Sequence, residues 1–453
     1  MKKKYLLYSL IIAVCFLYTG SAYMSQFYRL MDLCDGVTVD VITSGWNYLL
    51  QAAGIGLFAL GLRKRPEVFG RMRTFQILLA SGAVFMAVSQ VASSFAAVAV
   101  SGYVFNLHIG FYFGFYIALL SKNVPPKRSG VCYGAAYAAA SVGTFVFSLI
   151  QNGGLMTSRY MLAVYLLLAA VTMLLAGRAD DLPCGRTSDL QEDKERAGQR
   201  TWVLIAAVAV MMVITTFGSG LYYSLPQAEN VNWYLIRAFY ALGLVLAGAI
   251  LDRNRAAGSY IVAASLAYPL IASALIGDGV TNTLALGISY ICRGFTTVYL
   301  ITAFSDKAFE SGRLHLSGLG LMVSRLTESL LSLLLMFAEI PDTLMLIIPA
   351  VFFLPLLLIL LKLNEKRPAQ AVSRTAPADP LQGLAIFSKK YDLTQRESEI
   401  LSLMAEGLTD DEIADKCCIS RNTVRFHVSN ILKKTGASGR IEAARMLRIE
   451  GVL

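Results

Sequence analysis

The feature that most constrains this chain is a run of about twenty apolar residues that recurs, with short breaks, through everything before residue 362. At 1.5 Å rise per residue such a run crosses a hydrocarbon layer of about 30 Å, and in lipid its backbone groups must find their partners within the segment itself. Each run is therefore expected to be a helix. Twelve are countable, at 5 to 24, 41 to 62, 74 to 95, 98 to 120, 131 to 150, 159 to 176, 201 to 223, 233 to 251, 259 to 276, 280 to 303, 316 to 337 and 343 to 362. The third and fourth are the hardest to separate, because residues 91 to 101 hold neither a charge nor a proline. The fold class expected is all-α.

Only 15% of the residues are charged and 56% are hydrophobic, against about a quarter charged in an ordinary soluble domain. That argues against a soluble enzyme. The charge is also uneven, since the stretch from Leu384 onward holds 21 of the 70 Asp, Glu, Lys and Arg (40 basic, 30 acidic in the whole chain). Two solvents are implied: a membrane part over 1–362, a linker over 363–385, and a small water-facing domain over 386–453. The linker, with prolines at 368, 377 and 380 among small and polar residues, reads as a tether with an r.m.s. reach on the order of 25 Å.

The seven cysteines show no CxxC spacing, and His108, His315 and His427 are scattered. Neither a disulfide framework nor a metal site is supported. No nucleophile and base pair or phosphate loop appears, so no catalytic residue, no cofactor and no enzymatic activity are expected.

Loop charge orients the spans, because cytoplasmic loops are enriched in Lys and Arg. With twelve spans one side receives Lys2 to Lys4, the Arg63 to Arg73 group, Lys122, Lys127 and Arg128, the basic residues of the 177 to 200 loop, Arg253 and Arg255, Lys307 and Arg313, and Lys362 to Arg367. The other side receives only Arg29 and Arg159. Both termini and the C-terminal domain are thus expected in the cytoplasm, with the protein in the inner (cytoplasmic) membrane. The first run has the layout of a signal peptide as well, but its cleavage would spoil this asymmetry. The long polar loop over 177 to 200 divides the spans six and six. With Gly248, Asp252, Arg253 and Arg255 after the eighth span, and Glu67, Gly70, Arg71 and Arg73 as a partial copy after the second, the membrane part resembles the major facilitator superfamily of transporters.

Ionisable residues inside spans are costly and usually face a cavity or a partner. They are Arg237, Arg293, Arg325 and Glu328, with His108. Arg325 and Glu328 stand three apart on one helical face and can pair with each other. Arg237 and Arg293 have no acid on their own helices. A guanidinium fork suits a carboxylate, so these four residues are candidates for binding a small molecule, with an anion the class they suit. The competing expectation is that Arg237, four residues from Trp233, snorkels to the interface. No role is assigned to the aromatic string FYFGFY at 111 to 116.

The C-terminal domain opens with a capping box, Thr394 and Glu397, ahead of Ile400, Leu401 and Leu403 at helical spacing. Gly407 is expected to end that helix, Thr409 with Glu412 to start a second, and Ser420 to cap a third containing Thr423, Val424, His427, Ile431 and Leu432. Residues 440 to 449 make a fourth helix. Two short helices joined by a brief turn form a helix-turn-helix, whose second member enters the DNA major groove. Acids concentrate in residues 391 to 415 and bases in 420 to 448, and the basic half is the one suited to phosphate.

From Leu393 to Leu447 the string LTQRESEILSLMAEGLTDDEIADKCCISRNTVRFHVSNILKKTGASGRIEAARML resembles the LuxR, FixJ and NarL type of DNA-binding domain along its whole length. Cys417, Cys418 and Thr435 depart from the family pattern and put packing in question. The resemblance implies a four-helix domain that binds promoter DNA as a homodimer. Carried over by position, Arg425, Phe426 and Ser429 contact base edges, with Phe426 suited to a thymine methyl. Arg421, Asn422, Thr423 and Lys433 complete the DNA-binding set, with Arg421, Thr423 and Lys433 towards phosphates. Capping, core packing and an internal salt bridge account for Glu397, His427 and Arg440.

Together these features predict a membrane-embedded one-component transcription regulator, in contact with lipid, whose membrane part senses a small-molecule inducer and whose tethered domain binds promoter DNA. The alternative is a facilitator-type transporter with a regulatory DNA-binding tail.

Overall fold

The computed structural model describes residues 3–152, 158–182, 191–223, 231–268, 279–338, 340–364, 384, 387–406, 408–437 and 439–449. Among them every regular element is a helix. The first half holds α1 (Lys3–Met31), α2 (Gly36–Asp40), a π-helical stretch (Val41–Asn47), α3 (Tyr48–Lys64), α4 (Pro66–Phe69), α5 (Met72–Val91), α6 (Phe95–Asn123), α7 (Pro126–Asn152) and α8 (Ser158–Ala176). The second holds α9 (Gln191–Tyr223), α10 (Trp233–Arg253), α11 (Arg255–Leu266), α12 (Gly279–Ser311), α13 (Leu319–Phe337) and α14 (Asp342–Asn364).

The described residues of the twelve apolar runs lie mainly on helix, and nine of the helices among the described residues are long and apolar enough to cross a membrane, three fewer than the count expected. The other three are shorter for identifiable reasons. The second run is divided by the π-helical stretch, although Asp40 and Tyr48 on either side keep helical dihedrals, so the rod is continuous. In the sixth, the apolar helix is Tyr160–Ala176. In the ninth, α11 ends at Leu266 and residues 269–278 lie outside the described residues. The ambiguous third break is made by Ser94, whose side chain accepts from the Ala97 N–H at 3.3 Å and starts α6.

Two expected loops are partly helical. Residues 191–200, expected as polar loop, belong to α9; their strong helix formers include Glu192 and Arg196 at a favourable i, i+4 spacing, while 183–190 lie outside the described residues. The tether expected from 363 starts later, because α14 continues through Asn364, whose Nδ2 donates to Ser259 Oγ at 2.6 Å. Of the rest of the tether only Leu384 is described.

The halves meet most extensively along two helix pairs, α3 with α13 and α7 with α10, with α12 also packed on α6 and α7. The two pairs are the second with the eleventh run and the fifth with the eighth. Adding six to each number exchanges the pairs, as expected of two similar halves facing each other. Contact within a half is also close: a Cβ on Gly54 of α3 would lie 2.2 Å from the Leu107 carbonyl of α6, and one on Gly110 2.2 Å from the Gln51 carbonyl. Only glycine permits that approach.

Residues Glu365–Leu453 form a second compact unit, distinct from Met1–Asn364. Its described helices are α15 (Gln395–Ala405), α16 (Asp410–Cys417), α17 (Arg421–Thr435) and α18 (Arg440–Ile449). Both capping boxes form, Thr394 with Glu397 and Thr409 with Glu412, and Ser420 caps α17. Gly407 lies outside the described residues. Ile400, Leu401, Ile413, Val424, Ile431 and Leu447 are fully buried, and they share their core with Phe387, upstream of the first helix expected. The departures from the family pattern are accommodated: Cys417 is buried in this core, Cys418 takes the left-handed conformation that ends α16 (φ 53°), and the buried Thr435 hydroxyl donates to the Ile431 carbonyl at 2.8 Å.

Candidate functional site

The four ionisable residues singled out in the spans line one cavity of about 250 Å³ in the membrane unit. Arg237 comes from α10, Arg293 from α12, and Arg325 with Glu328 from α13. Arg237 lines this cavity rather than standing apart at a span end. Arg325 and Glu328 do pair, Nη1 to Oε2 at 3.2 Å. The Arg325 guanidinium also lies 4.2 Å from the centre of the Tyr48 ring, and its Nε is buried with no hydrogen-bond partner. Arg293 stands 5.5 Å from the ring centre of Tyr290.

Sequence reasoning missed the aromatic wall. Phe16, Tyr48, Phe113, Tyr133, Tyr137, Tyr240 and Tyr290 all line the cavity, and Phe113 comes from the string to which no role was assigned. A signal was present: Arg237 with Tyr240 and Tyr290 with Arg293 repeat an arginine and a tyrosine three apart, which sets both on one helix face. The π-helical stretch lies directly before Tyr48, and the Ser329 hydroxyl of α13 donates to its Gly45 carbonyl at 2.9 Å. Stretches of this kind often mark functional positions.

The expected loop signature after the eighth run forms a latch between helix ends. Asp252 accepts from the Gly130 and Val131 N–H groups at 2.8 Å each, so its carboxylate sits near the N-terminal end of α7, just beyond the first turn. Arg255 pairs with Asp306 of α12 at 2.6 Å and donates to the Pro126 carbonyl and Ser129 hydroxyl, while Asp252 lies within 3.3 Å of it. The glycine of the signature is needed because a Cβ on Gly248 would meet the Gly130 carbonyl at 2.4 Å. In the partial copy the acid comes from elsewhere: Asp181, after α8, accepts from the Met72 N–H that opens α5, at 2.7 Å.

In the second unit, α17 presents Arg421, Asn422, Arg425, Phe426, Ser429 and Lys433 on its exposed surface. Phe426 is 64% exposed, an unusual position for a large apolar ring unless a partner covers it. Arg421 and Arg425 lean on the acidic first turn of α16, at 3.2 Å from Asp411 and 3.6 Å from Asp410. These are exposed pairs of small net worth, which phosphates can displace. Thr423 is partly buried, with its hydroxyl 2.8 Å from that of the Ser420 cap. Arg440 bonds to Asp410 and the Leu408 carbonyl, tying α18 to the start of α16.

Glu397 is buried and receives the Lys434 ammonium at 2.8 Å and the Thr394 N–H at 2.8 Å. Burial by itself would raise its pKa, but these donors outweigh burial and hold it below the ordinary value of 4.5. A carboxylate whose pKa is lowered by folding contributes stability above its unfolded value, lost as pH falls through the folded one. Acid titration of the full chain, followed by proteolysis between α15 and α18, should therefore show the domain loosening below about pH 4.5. Glu397→Gln should flatten that transition; an unchanged acid limb would assign it to other groups.

The family model of the bacterial regulatory proteins of the luxR family matches residues 392–447. Spore germination protein GerE of Bacillus subtilis is 44% identical over 57 residues, covering 13% of this chain and 77% of GerE. The transcriptional regulatory proteins LnrK and LiaR of the same organism are 38% identical over 79 residues and 50% over 52, covering 17% and 12% of this chain. The chain spans 36% of LnrK and 25% of LiaR. For the membrane part, the major facilitator superfamily transporter FucP in its outward conformation superposes with a TM-score of 0.54 at 16% identity, over 80% of this chain and all of that one. The human organic anion transporter MFSD10 does so at 0.57 and 13%, over 79% of this chain and all of its own. Such low identity speaks to fold alone. The chain therefore belongs to the luxR family of bacterial regulatory proteins, and it carries that family's DNA-binding domain behind a multi-pass membrane part with the major facilitator fold.

Proposed function

We infer that the protein is a one-component transcription regulator, in which a small molecule bound in the arginine-lined cavity of the membrane part controls promoter binding by the C-terminal domain. The observation that carries this reading is one polypeptide holding both a cavity with Arg237, Arg293, Arg325 and Glu328 on its wall and a luxR-family domain with an exposed recognition helix. The cavity side chains suit binding rather than catalysis. The basic loops assign both termini, and hence the DNA-binding domain, to the cytoplasmic face of the inner membrane, and the domain acts on DNA as a homodimer. The membrane contributes a lipid surface that limits how the domains meet.

A promoter reporter tests the reading once genomic footprinting has located the bound site. Arg425→Ala should weaken promoter binding by roughly 1–3 kcal/mol and relax preference at one base pair, whereas Lys433→Ala should weaken all sequences alike and reduce the salt dependence. Arg325→Gln should abolish the response to inducer and leave DNA binding without inducer intact; an unaltered response would remove the cavity from the account. The second reading, a transporter that also regulates, is favoured by the latched, two-halved fold. Uptake of labelled inducer into vesicles separates the two, because a sensor binds without net flux.

A further inference from the structure

The geometry points to a small carboxylate with a flat, aromatic body as the ligand of the cavity, a class that rests on the sensing role inferred above. Size comes first. A volume of about 250 Å³ lies just below the roughly 300–1,000 Å³ common for small-molecule sites. A single ring with short substituents fits.

The wall selects shape. Phe16 lies 4.0 Å from Tyr137, Tyr137 meets Tyr240 edge to face at 5.9 Å and 87°, and Tyr240 meets Tyr290 likewise at 6.0 Å and 88°. This aromatic chain runs from α1 through α7 and α10 to α12, so it belongs to both halves of the membrane unit. Rings that already meet edge to face offer a guest ring the faces and edges on which aromatic pairs prefer to pack.

Charge selects the headgroup. Among the described residues the wall carries three guanidiniums and one carboxylate, which pairs with Arg325. Arg325 lines the cavity with its guanidinium 4.2 Å from the centre of the Tyr48 ring, and a guanidinium fork suits a carboxylate. An amine would be repelled by the excess of positive charge, and a neutral sugar would gain nothing from it.

The test uses the full-length protein in lipid nanodiscs, with benzoate and 4-hydroxybenzoate as probes and calorimetry as the readout. Cyclohexanecarboxylate keeps the charge without the flat ring, benzamide keeps the ring without the charge, and fucose stands for a neutral sugar. At least one aromatic acid should bind, with the other three compounds roughly tenfold or more weaker. Arg325→Gln should weaken the acid by roughly tenfold or more, and Arg325→Lys should recover part of it. Where Arg325→Gln alters thermal unfolding without ligand, Arg237→Gln takes its place. Benzamide or cyclohexanecarboxylate binding as well as the acids, fucose binding more tightly, or no aromatic acid binding up to roughly 10 mM would each overturn the proposal. An acid that binds through Arg325 but leaves promoter occupancy unchanged supports this ligand class and overturns the sensing role instead. A sugar that alters occupancy does the reverse.

Discussion

Leu401→Ala will abolish promoter binding by the full-length protein while its membrane part stays folded. Leu401 is completely buried among Ile400, Ile413, Val424 and Ile431, and truncating a buried leucine costs about 2–5 kcal/mol in lost transfer energy and residual cavity. A core of this size rarely supplies more than about 3–5 kcal/mol, so one such cavity consumes most of the domain's stability. Mobility shifts with promoter DNA should fall to the non-specific level, and limited proteolysis should release fragments from residues 387–449 at native temperature. The two units are separate compact bodies, so thermal unfolding of the membrane part should hardly move. Retained promoter binding would mean that the domain draws its stability from somewhere other than this core.

Gly110→Ala should have an effect of similar size in the other unit. The added Cβ would stand 2.2 Å from the Gln51 carbonyl and 2.8 Å from the Gly54 Cα, and both are backbone atoms on a helix that cannot rotate away as a side chain would. Overpacking of this kind costs about 1–3 kcal/mol, occasionally more. Because Tyr48 and Gln51 lie in α3 with that contact, displacing α3 also moves the face that Arg325 stacks upon. A lowered melting temperature together with weakened inducer binding is the expected pair of results, read by thermal unfolding in detergent and by calorimetry. A stable variant with normal inducer affinity would show that α3 and α6 can separate without disturbing the cavity.

Much of this architecture was legible in the residues because the strongest physical constraints act locally. Apolar runs of bilayer length have one solution, and the capping boxes at Thr394 and Thr409 are written within four residues each. Four of the five intramembrane ionisable residues converge on one cavity, since a charge in a span has few other places to go, while His108 meets the Ser81 hydroxyl instead. What stayed hidden depends on partners distant in sequence. The carboxylate of Asp252 is defined by N–H groups of Gly130 and Val131, some 120 positions away, and no spacing rule connects them. Unlike Tyr240 and Tyr290, the wall residues Tyr48, Tyr133 and Tyr137 have no charged residue three or four positions away, so nothing in their neighbourhood separates a cavity position from a lipid-facing one. The π-helical stretch at Val41–Asn47 has no composition of its own, and Phe387 joins a core from outside any helix expected.

The pairing of Arg421 and Arg425 with Asp411 and Asp410 bears on how the domain reads DNA. Two arginines already held by acids on α16 are oriented before DNA arrives, and phosphate or a base edge must compete for them. Raising salt weakens both the intramolecular pairs and the phosphate contacts, so affinity comparisons between variants have to be made at one salt concentration.

The central claim is that the cavity and the recognition helix share one free energy. If inducer changes promoter affinity by some factor, promoter DNA must change inducer affinity by the same factor, because coupling between binding sites is reciprocal. The most direct test measures both with the full-length protein in nanodiscs: promoter affinity with and without a compound that binds through Arg325, and the affinity of that compound with and without promoter DNA. The account predicts two equal factors, roughly 5-fold to 150-fold, both abolished by Arg325→Gln. Two factors of one would contradict it, and would leave a membrane protein that binds its ligand and a domain that binds DNA with no thermodynamic connection between them.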